Sequence, residues 1–310
     1  MDSGFVSPHV SVLYQPIITA LRPHSLGLYV DATVGAGGHA WGILEQSAPH
    51  GKLLGLDVDP RALELADQRL HSFNGRYYLV RSSYASLSSQ LLTLGWDHAD
   101  GIVIDLGTSS MQIDSPERGF SFQKDGPLDM RFNPSQPVSA ATIVNNTPEN
   151  ELADILWKYG EERNSYRIAR AIVQNRPFES TLALAKVVAR ASGQHGGKIN
   201  PATKTFQALR ICVNQELEAL ESFLPQAIQV LAPGGRLAVI SFHSLEDRIT
   251  KQFFRQESRD CICPPGTPVC QCNHKASIIE ITRHPIEADE IEKEANPRSR
   301  SAKLRIVEKR

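Results

Sequence analysis

Asp57 ends one apolar run and Asp105 ends another. Asp31 stands in a third, four residues ahead of Gly35, in the stretch Asp31-Ala-Thr-Val-Gly35-Ala-Gly37-Gly38-His39. Glycines at a strand-to-helix turn let the backbone approach a ligand and leave the N–H groups of the helix start free to bind it. An acidic side chain at the end of the next strand, 20 residues after Gly37, can accept hydrogen bonds from both hydroxyls of a ribose. Loop and carboxylate together point to an adenosine-containing cofactor. The loop departs from the dinucleotide fingerprint. A carboxylate before the first glycine suits the ammonium end of S-adenosylmethionine better than a pyrophosphate. The same residues also fit a tight structural turn, with Asp57 capping the following helix and Asp31 holding the turn together.

Residues 105–132, DLGTSSMQIDSPERGFSFQKDGPLDMRF, have little helical or strand periodicity. Structureless stretches of that length inside a domain are uncommon and usually functional or disordered. Met111, Ile113, Phe120, Phe122, Leu128, Met130 and Phe132 give this one apolar anchors, so it reads as an ordered binding loop. Asp105, Ser109, Ser110 and Asp129 are its polar candidates for chemistry. Asp129 equally suits a structural tie to Arg118 or Arg131. His243 follows the fifth strand, at the sheet edge where open α/β folds bind ligands; a histidine bonded within Ser241–Asp247 fits the same position.

Cys261-x-Cys263, six residues, then Cys270-x-Cys272 is a compact thiol cluster. It predicts a structural zinc site closing a loop, with His274 as a substitute for one thiol. A disulfide pair does not suit a reducing compartment. Cys212 falls within an apolar helix and reads as core.

These residues need a frame. Strand-like runs at 28–34, 53–58, 77–82, 101–106 and 236–242 alternate, over the first four, with helical stretches at about 38–47, 60–72 and 84–94. Asp59-Pro60 supplies a helix cap and first turn. Such alternation predicts an α/β fold, a mostly parallel Rossmann-like sheet covered on both faces. Between the fourth and fifth strands the pattern turns helical, at 147–176 and 181–192. A long helix from 201 carries the stripe Phe206, Leu209, Val213, Leu217, Leu220, Leu224. The expected organisation is a main domain of residues 1–133 and 205–310, with an inserted helical domain at 134–204. A helix at about 244–256 and strands at 277–283 and 302–308 close the chain, the strands at the sheet's edge.

Composition is ordinary: 310 residues, 41% hydrophobic, 22% charged, net charge −1. No run suggests a membrane span, and the N-terminus lacks the pattern of a signal peptide, so a cytoplasmic protein is expected. Charge is uneven. Residues 134–204 hold nine Lys/Arg against six Asp/Glu, and residues 291–310 hold seven against three. Arg163, Arg167 and Arg170, spaced four and three, are expected on one helix face able to meet successive phosphates or to form ion pairs with Glu161 and Glu162. Thr203, Gln207, Arg210 and Asn214 form a second polar stripe.

Several long motifs match one family in order: the Gly35–His39 loop, the 105–132 stretch, Tyr159-Gly-Glu-Glu-Arg163, Arg167-Ile-Ala-Arg-Ala-Ile172, Lys204-Thr-Phe-Gln-Ala-Leu-Arg210, Ser241-Phe-His-Ser-Leu-Glu-Asp-Arg248 and Asn296-Pro-Arg-Ser-Arg-Ser-Ala-Lys-Leu-Arg305. From His9 to about Lys303 the chain resembles the bacterial small-subunit rRNA (cytosine-N4)-methyltransferases, also called RsmH or MraW. The resemblance implies a class I S-adenosylmethionine-dependent methyltransferase fold with an inserted helical substrate-recognition domain. It implies methylation of the exocyclic N4 of a cytidine in the decoding centre of 16S rRNA. It makes ribosomal RNA or the small subunit the partner and leaves room for a homodimer. Cofactor positions fall on Gly37, Gly38, His39, Asp57, Tyr84, Asp105 and Gln112; Tyr84 and Gln112 come from the resemblance alone. Asp105, Asp129 and His243 are the expected catalytic candidates, and Arg131, Arg163, Arg167, Arg170 and Arg210 the expected RNA contacts. The Asn/Asp-Pro-Pro-aromatic motif of many amino methyltransferases is replaced here by Asp105-Leu-Gly-Thr-Ser. The family does not require the four cysteines.

Overall fold

The computed structural model describes residues 11–193, 200–267 and 269–310; His9, where the resemblance begins, lies outside them. The chain forms two compact units, one of Met1–Gly107 with Glu218–Arg310 and one of Thr108–Leu217. Among the described residues no helix is long and apolar enough to cross a membrane.

The first unit is built on a seven-stranded sheet. Its strands are β1 (Leu28–Asp31), β2 (Lys52–Asp57), β3 (Tyr77–Arg81), β4 (Ala99–Asp105), β5 (Leu231–Ser241), β6 (Ile278–Glu280) and β7 (Lys303–Lys309), in the order β3-β2-β1-β4-β5-β7-β6. The first five are parallel, and β7 runs antiparallel between β5 and β6. This is the class I methyltransferase sheet that the resemblance implies. The late strands do close the sheet, although β7 is internal and only β6 is an edge.

Alternation along these strands feeds two cores. Tyr29, Leu53, Val103, Ala238, Ile240 and Leu304 pack one face against Ile17, Ile43, Ala66 and Leu70 from helices Tyr14–Leu21, Gly38–Gln46 and Pro60–Leu70. Val30, Leu54, Ile102, Ile104, Leu237 and Val307 pack the other against Leu87, Leu91, Leu220, Phe223 and Phe254. Strands apolar on both faces are what a covered parallel sheet requires.

The second unit is helical, and it is wider than the expected 134–204. Leu128 and Met130 share its core with Ile143, Leu152, Leu156, Ile168, Leu184, Phe206 and Leu209. The 105–132 stretch from Thr108 onward and the helix Thr203–Asn214 therefore belong to it. Two expected helices are each broken in two. The stretch 147–176 becomes Glu149–Gly160 and Ser165–Gln174, turning at Glu161 with φ +47°. The long stripe becomes Thr203–Asn214 and Glu216–Val230, turning at Gln215 with φ +50°. Phe206, Leu209 and Val213 then serve the helical core, while Leu220 and Leu224 serve the sheet.

The antiparallel strand is fastened by charge. Arg236 on β5 faces its register partner Glu308 on β7 and donates from Nε and Nη2 to Glu308 Oε2 at 2.9 and 2.8 Å. Its Nη1 reaches the Ala20 carbonyl at 2.7 Å. Removing Arg236 takes the partner from Glu308, whose side chain is 26% exposed, and from the buried Ala20 carbonyl. Arg236→Leu is therefore expected to destabilise the protein by about 2 kcal/mol in chemical denaturation. Adding Glu308→Leu is expected to recover part of that loss; a loss unchanged by the second substitution would refute the pairing as its cause.

Candidate cofactor and substrate site

The carboxyl ends of β2, β1 and β4 lie side by side, and each carries an aspartate. Asp31 is the register partner of Gly55 on β2 and of Val103 on β4. Asp57 and Asp105 stand two residues beyond those partners, so by strand periodicity all three side chains leave the same face of the sheet.

Asp57 organises the glycine loop. Its Oδ2 accepts from the Gly35 N–H at 3.0 Å and its Oδ1 from the Asp59 N–H at 2.9 Å. The helix cap is Asp59, whose Oδ1 accepts from the Arg61 N–H, so capping is not Asp57's task. One backbone bond on each oxygen leaves lone pairs for two ribose hydroxyls. Gly35 and Gly37 have φ of +50° and +77°, and a Cβ on Gly37 would press to 3.3 Å from Ala66 Cα. Both positions call for glycine on backbone grounds.

Burial raises the Asp31 carboxyl to about 7, helped by Asp57 and opposed by backbone hydrogen bonds from Thr33 and Ala40. Burial also raises Asp57 to about 6, against the hydrogen bonds from Asp59 and Gly35. Asp105 is pushed well above the ordinary carboxylate value by burial, then by the charges of Asp31 and Glu246. Its backbone N–H donates to Thr33 Oγ1 at 2.7 Å, while its own Oδ1 is buried without a hydrogen bond. The edge thus crowds three carboxyls that give up their protons reluctantly, and a cationic ligand would favour their ionised forms.

The other expected cofactor residues take mixed positions. Gly38 begins the helix Gly38–Gln46, where a Cβ would meet Ser11 Oγ. His39 is buried in that helix. Its Nε2 lies 3.0 Å from the Val12 carbonyl, its ring stacks on Tyr14, and burial lowers it to about 4. A neutral ring donating to Val12 follows, so His39 anchors the loop from behind. Tyr84 follows β3 in a short 3-10 turn with its ring edge-on to Phe223 at 5.5 Å. Gln112, in the helical unit, is buried in a capping box: its Oε1 accepts from the Ser109 N–H at 3.1 Å, and its N–H donates to Ser109 Oγ at 3.3 Å.

The catalytic candidates separate clearly. His243 caps the helix Ser244–Glu257. Its Nδ1 accepts from the Glu246 N–H, which assigns the ring proton to Nε2, 3.1 Å from Glu246 Oε1. Glu246 escaped the sequence reading; the only signal was the His243-x-x-Glu246 spacing, a capping-box interval with an unusual cap residue. Asp129 is held by Arg131 through bonds of 2.9 and 2.7 Å. Burial raises its carboxyl, but Arg131's hydrogen bonds and charge outweigh that and hold it below the usual range, which makes it a poor base. Arg118, buried, donates to the carbonyls of Arg131 and Phe132.

The arginine stripe is not one helix face. Arg163 is exposed in the turn before the helix Ser165–Gln174. Arg167 donates to the Ser192 carbonyl. Arg170 pairs with Glu149 at 3.2 Å, rather than with Glu161 or Glu162. Arg131 also reaches the Gln136 carbonyl, and Arg210 grips Glu216 with two bonds of 2.9 and 3.0 Å. The four cysteine Sγ atoms lie within 4.8 Å of one another, while His274 instead bonds the Gln256 carbonyl.

Comparison with known proteins agrees with this geometry. The profile of the MraW methylase family matches residues 6–310. A protein named ribosomal RNA small subunit methyltransferase H from Dehalococcoides mccartyi is 52% identical over 302 residues, covering 97% of this chain and 86% of its own. Relatives of the same name from Heliobacterium mobile and Thermomicrobium roseum are 52% and 49% identical, covering 97% and 100% of this chain and 98% and 96% of theirs. With a profile matched along nearly its whole length and relatives at half identity, the chain belongs to the MraW methylase family.

Proposed function

We propose that this chain transfers a methyl group from S-adenosylmethionine to the exocyclic N4 of a cytidine in 16S rRNA, in the decoding centre of the small ribosomal subunit. The observation that carries the reading is the aspartate row at the sheet edge, where Asp31, Asp57 and Asp105 stand on one face beside a glycine loop that Asp57 holds. The relatives' names supply the class of acceptor. Ribosomal subunits as substrate imply a cytoplasmic protein.

S-adenosylmethionine supplies an electrophilic methyl on a positively charged sulfur. Asp57 binds the ribose hydroxyls and Asp31 the ammonium group. Tyr84, which follows β3 on the same unit, completes the cofactor residues we favour. Asp105 is the catalytic group we favour, because its Oδ1 is buried and unbonded at the carboxyl end of β4, whereas Asp129 is neutralised by Arg131 and His243, although its Nε2 is likewise unbonded, spends its Nδ1 on its helix cap. A carboxylate there can accept a hydrogen bond from the amine as the lone pair localises, so positioning and electrostatics do most of the work.

On the helical unit, Arg163 and Arg170 are the phosphate contacts we favour. The exposed Arg170–Glu149 pair is worth at most about 1 kcal/mol, so a phosphate can displace the glutamate. Arg210 and Glu216, with side chains only 17% and 6% exposed, form a pair too costly to break and act as scaffold.

Incubating the protein with methyl-labelled S-adenosylmethionine and small subunits lacking the modification is expected to label 16S rRNA at N4 of one cytidine. Label on protein or on no acceptor would overturn the reading.

Replacing Asp57 by Ala is expected to weaken cofactor binding by about 30-fold or more, the loss of two hydrogen bonds to a charged group. Calorimetric titration checks this, with a melting curve to confirm that the variant is folded. Near-normal affinity would remove the ribose assignment.

The raised carboxyls also set a pH dependence. Asp31 and Asp57 titrate at about 7 and about 6 when folded, above the ordinary 3.8. Their contribution to the stability of the ligand-free protein is fully present below about pH 4 and is lost as pH rises through 6 to 7. A cationic ligand lowers both values, so binding near pH 6.5 is expected to release protons. Calorimetry in two buffers of different ionisation enthalpy reads this directly, and proton uptake or no exchange would contradict the assignment.

A further inference from the structure

We propose that Cys261, Cys263, Cys270 and Cys272 bind one zinc ion in a tetrahedral thiolate site, which holds together the loop between the helix Ser244–Glu257 and β6. The inference stands apart from methyl transfer, since none of these cysteines is among the residues placed at the cofactor or the acceptor.

Geometry comes first. All four Sγ atoms lie within 4.8 Å of one another, and two of the separations are 3.5 Å (Cys270 to Cys272) and 3.9 Å (Cys272 to Cys261). Zinc–sulfur bonds of about 2.3 Å at tetrahedral angles place sulfurs about 3.8 Å apart. The thiols are free, and their spacing is far from the roughly 2 Å of a disulfide. An iron–sulfur cube would need its ligands much further apart.

The backbone prepares the sulfurs for negative charge. The Ile262 N–H points at Cys272 Sγ and the Gln271 N–H at Cys263 Sγ, both at 3.4 Å. Each lies one residue beyond the first cysteine of its own pair and donates to the other pair. The two Cys-x-Cys arms thereby clasp each other. Each thiol that ligates loses its proton to solvent, and such N–H donors stabilise the thiolate that remains.

The loop has little packing of its own. Between Ser258 and Lys275 none of the described residues is buried, and Ile262 and Val269 are 42% and 71% exposed. Its base is fastened, by Ser277 N–H to the Glu257 carbonyl at 2.8 Å, Ala276 N–H to Asp260 Oδ1 at 3.2 Å and His274 against the Gln256 carbonyl. Beyond that base, among the described residues, the four thiols are the cluster that could hold the loop. Small units without an apolar core are held by disulfides or metals, and here the metal is the fit.

Metal analysis and native mass spectrometry of the untagged full-length chain test this without any variant. One zinc per chain is expected, with all four thiols alkylated after denaturation. X-ray absorption is expected to give four sulfur neighbours at about 2.3 Å. Cys263→Ser or chelation is expected to remove the ion and to speed tryptic cleavage at Arg259 and Lys275 by about tenfold or more, through local opening. Iron in place of zinc, a chain lighter by two disulfides, or metal-free protein with unchanged proteolysis on chelation would each overturn the proposal.

Discussion

A parallel sheet ends its strands on one side, and in this chain three neighbouring ends carry aspartates on the same face. Everything about the candidate site depends on that placement. Burial, and then the neighbouring like charges, raise their proton affinity: Asp31 to about 7, Asp57 to about 6, and Asp105 well above the ordinary carboxylate value. For Asp31 the shift amounts to roughly 4 kcal/mol of penalty on the ionised form. Two apolar faces, each sealed by helices, provide the stability that tolerates it. A ligand bearing positive charge would relieve the penalty, which is why the proposed site suits a sulfonium amino acid.

The glycine loop shows how one carboxylate does two jobs. Asp57 fixes the Gly35 N–H and the Asp59 N–H, and so sets both the loop and the entry to the next helix. In the proposed site its remaining lone pairs would take the ribose hydroxyls. Loop and proposed ribose site would then be one construction, which is why a single side chain at a strand end carries so much in the sequence.

The sheet was readable because its strands are apolar runs punctuated by Gly, Asp and Pro, whose local chemistry is strong. The helical unit was harder for a specific reason. Its helices break at Glu161 and Gln215, both with positive φ, and neither residue type announces such a turn. The stripe from Phe206 to Leu224 keeps helical spacing across the break, so periodicity alone joined two helices that serve different cores. The long 105–132 stretch was rightly read as anchored. Its anchors, however, tie it into the helical unit: Phe120 stacks on Phe132, Phe122 meets Phe206 edge-on, and Leu128 and Met130 are buried. Spacing could place arginines near one another but could not say which carboxylate each would meet. Arg170 meets Glu149, 21 residues away in the chain, and Arg210 meets Glu216, across the break at Gln215.

That loop carries a consequence for the chemistry. Gly119 and Gly126 allow backbone approaches that a Cβ would forbid, at 2.1 Å from the Pro127 carbonyl oxygen and 1.9 Å from that of Pro116. Arg118 and Arg131 then lock the turn, with Asp129 as counter-charge. A carboxylate so paired is a strut, and its lowered proton affinity removes it from proton transfer. The exocyclic amine of cytosine is a weak nucleophile because its lone pair is delocalised into the ring, and it sheds a proton readily once methylated. Such a substrate asks less for a strong base than for a fixed acceptor that draws the lone pair out of the ring. Asp105, with one oxygen unbonded, fits that demand once a bound cation favours its ionised form, whereas His243 has already given its Nδ1 to a helix cap.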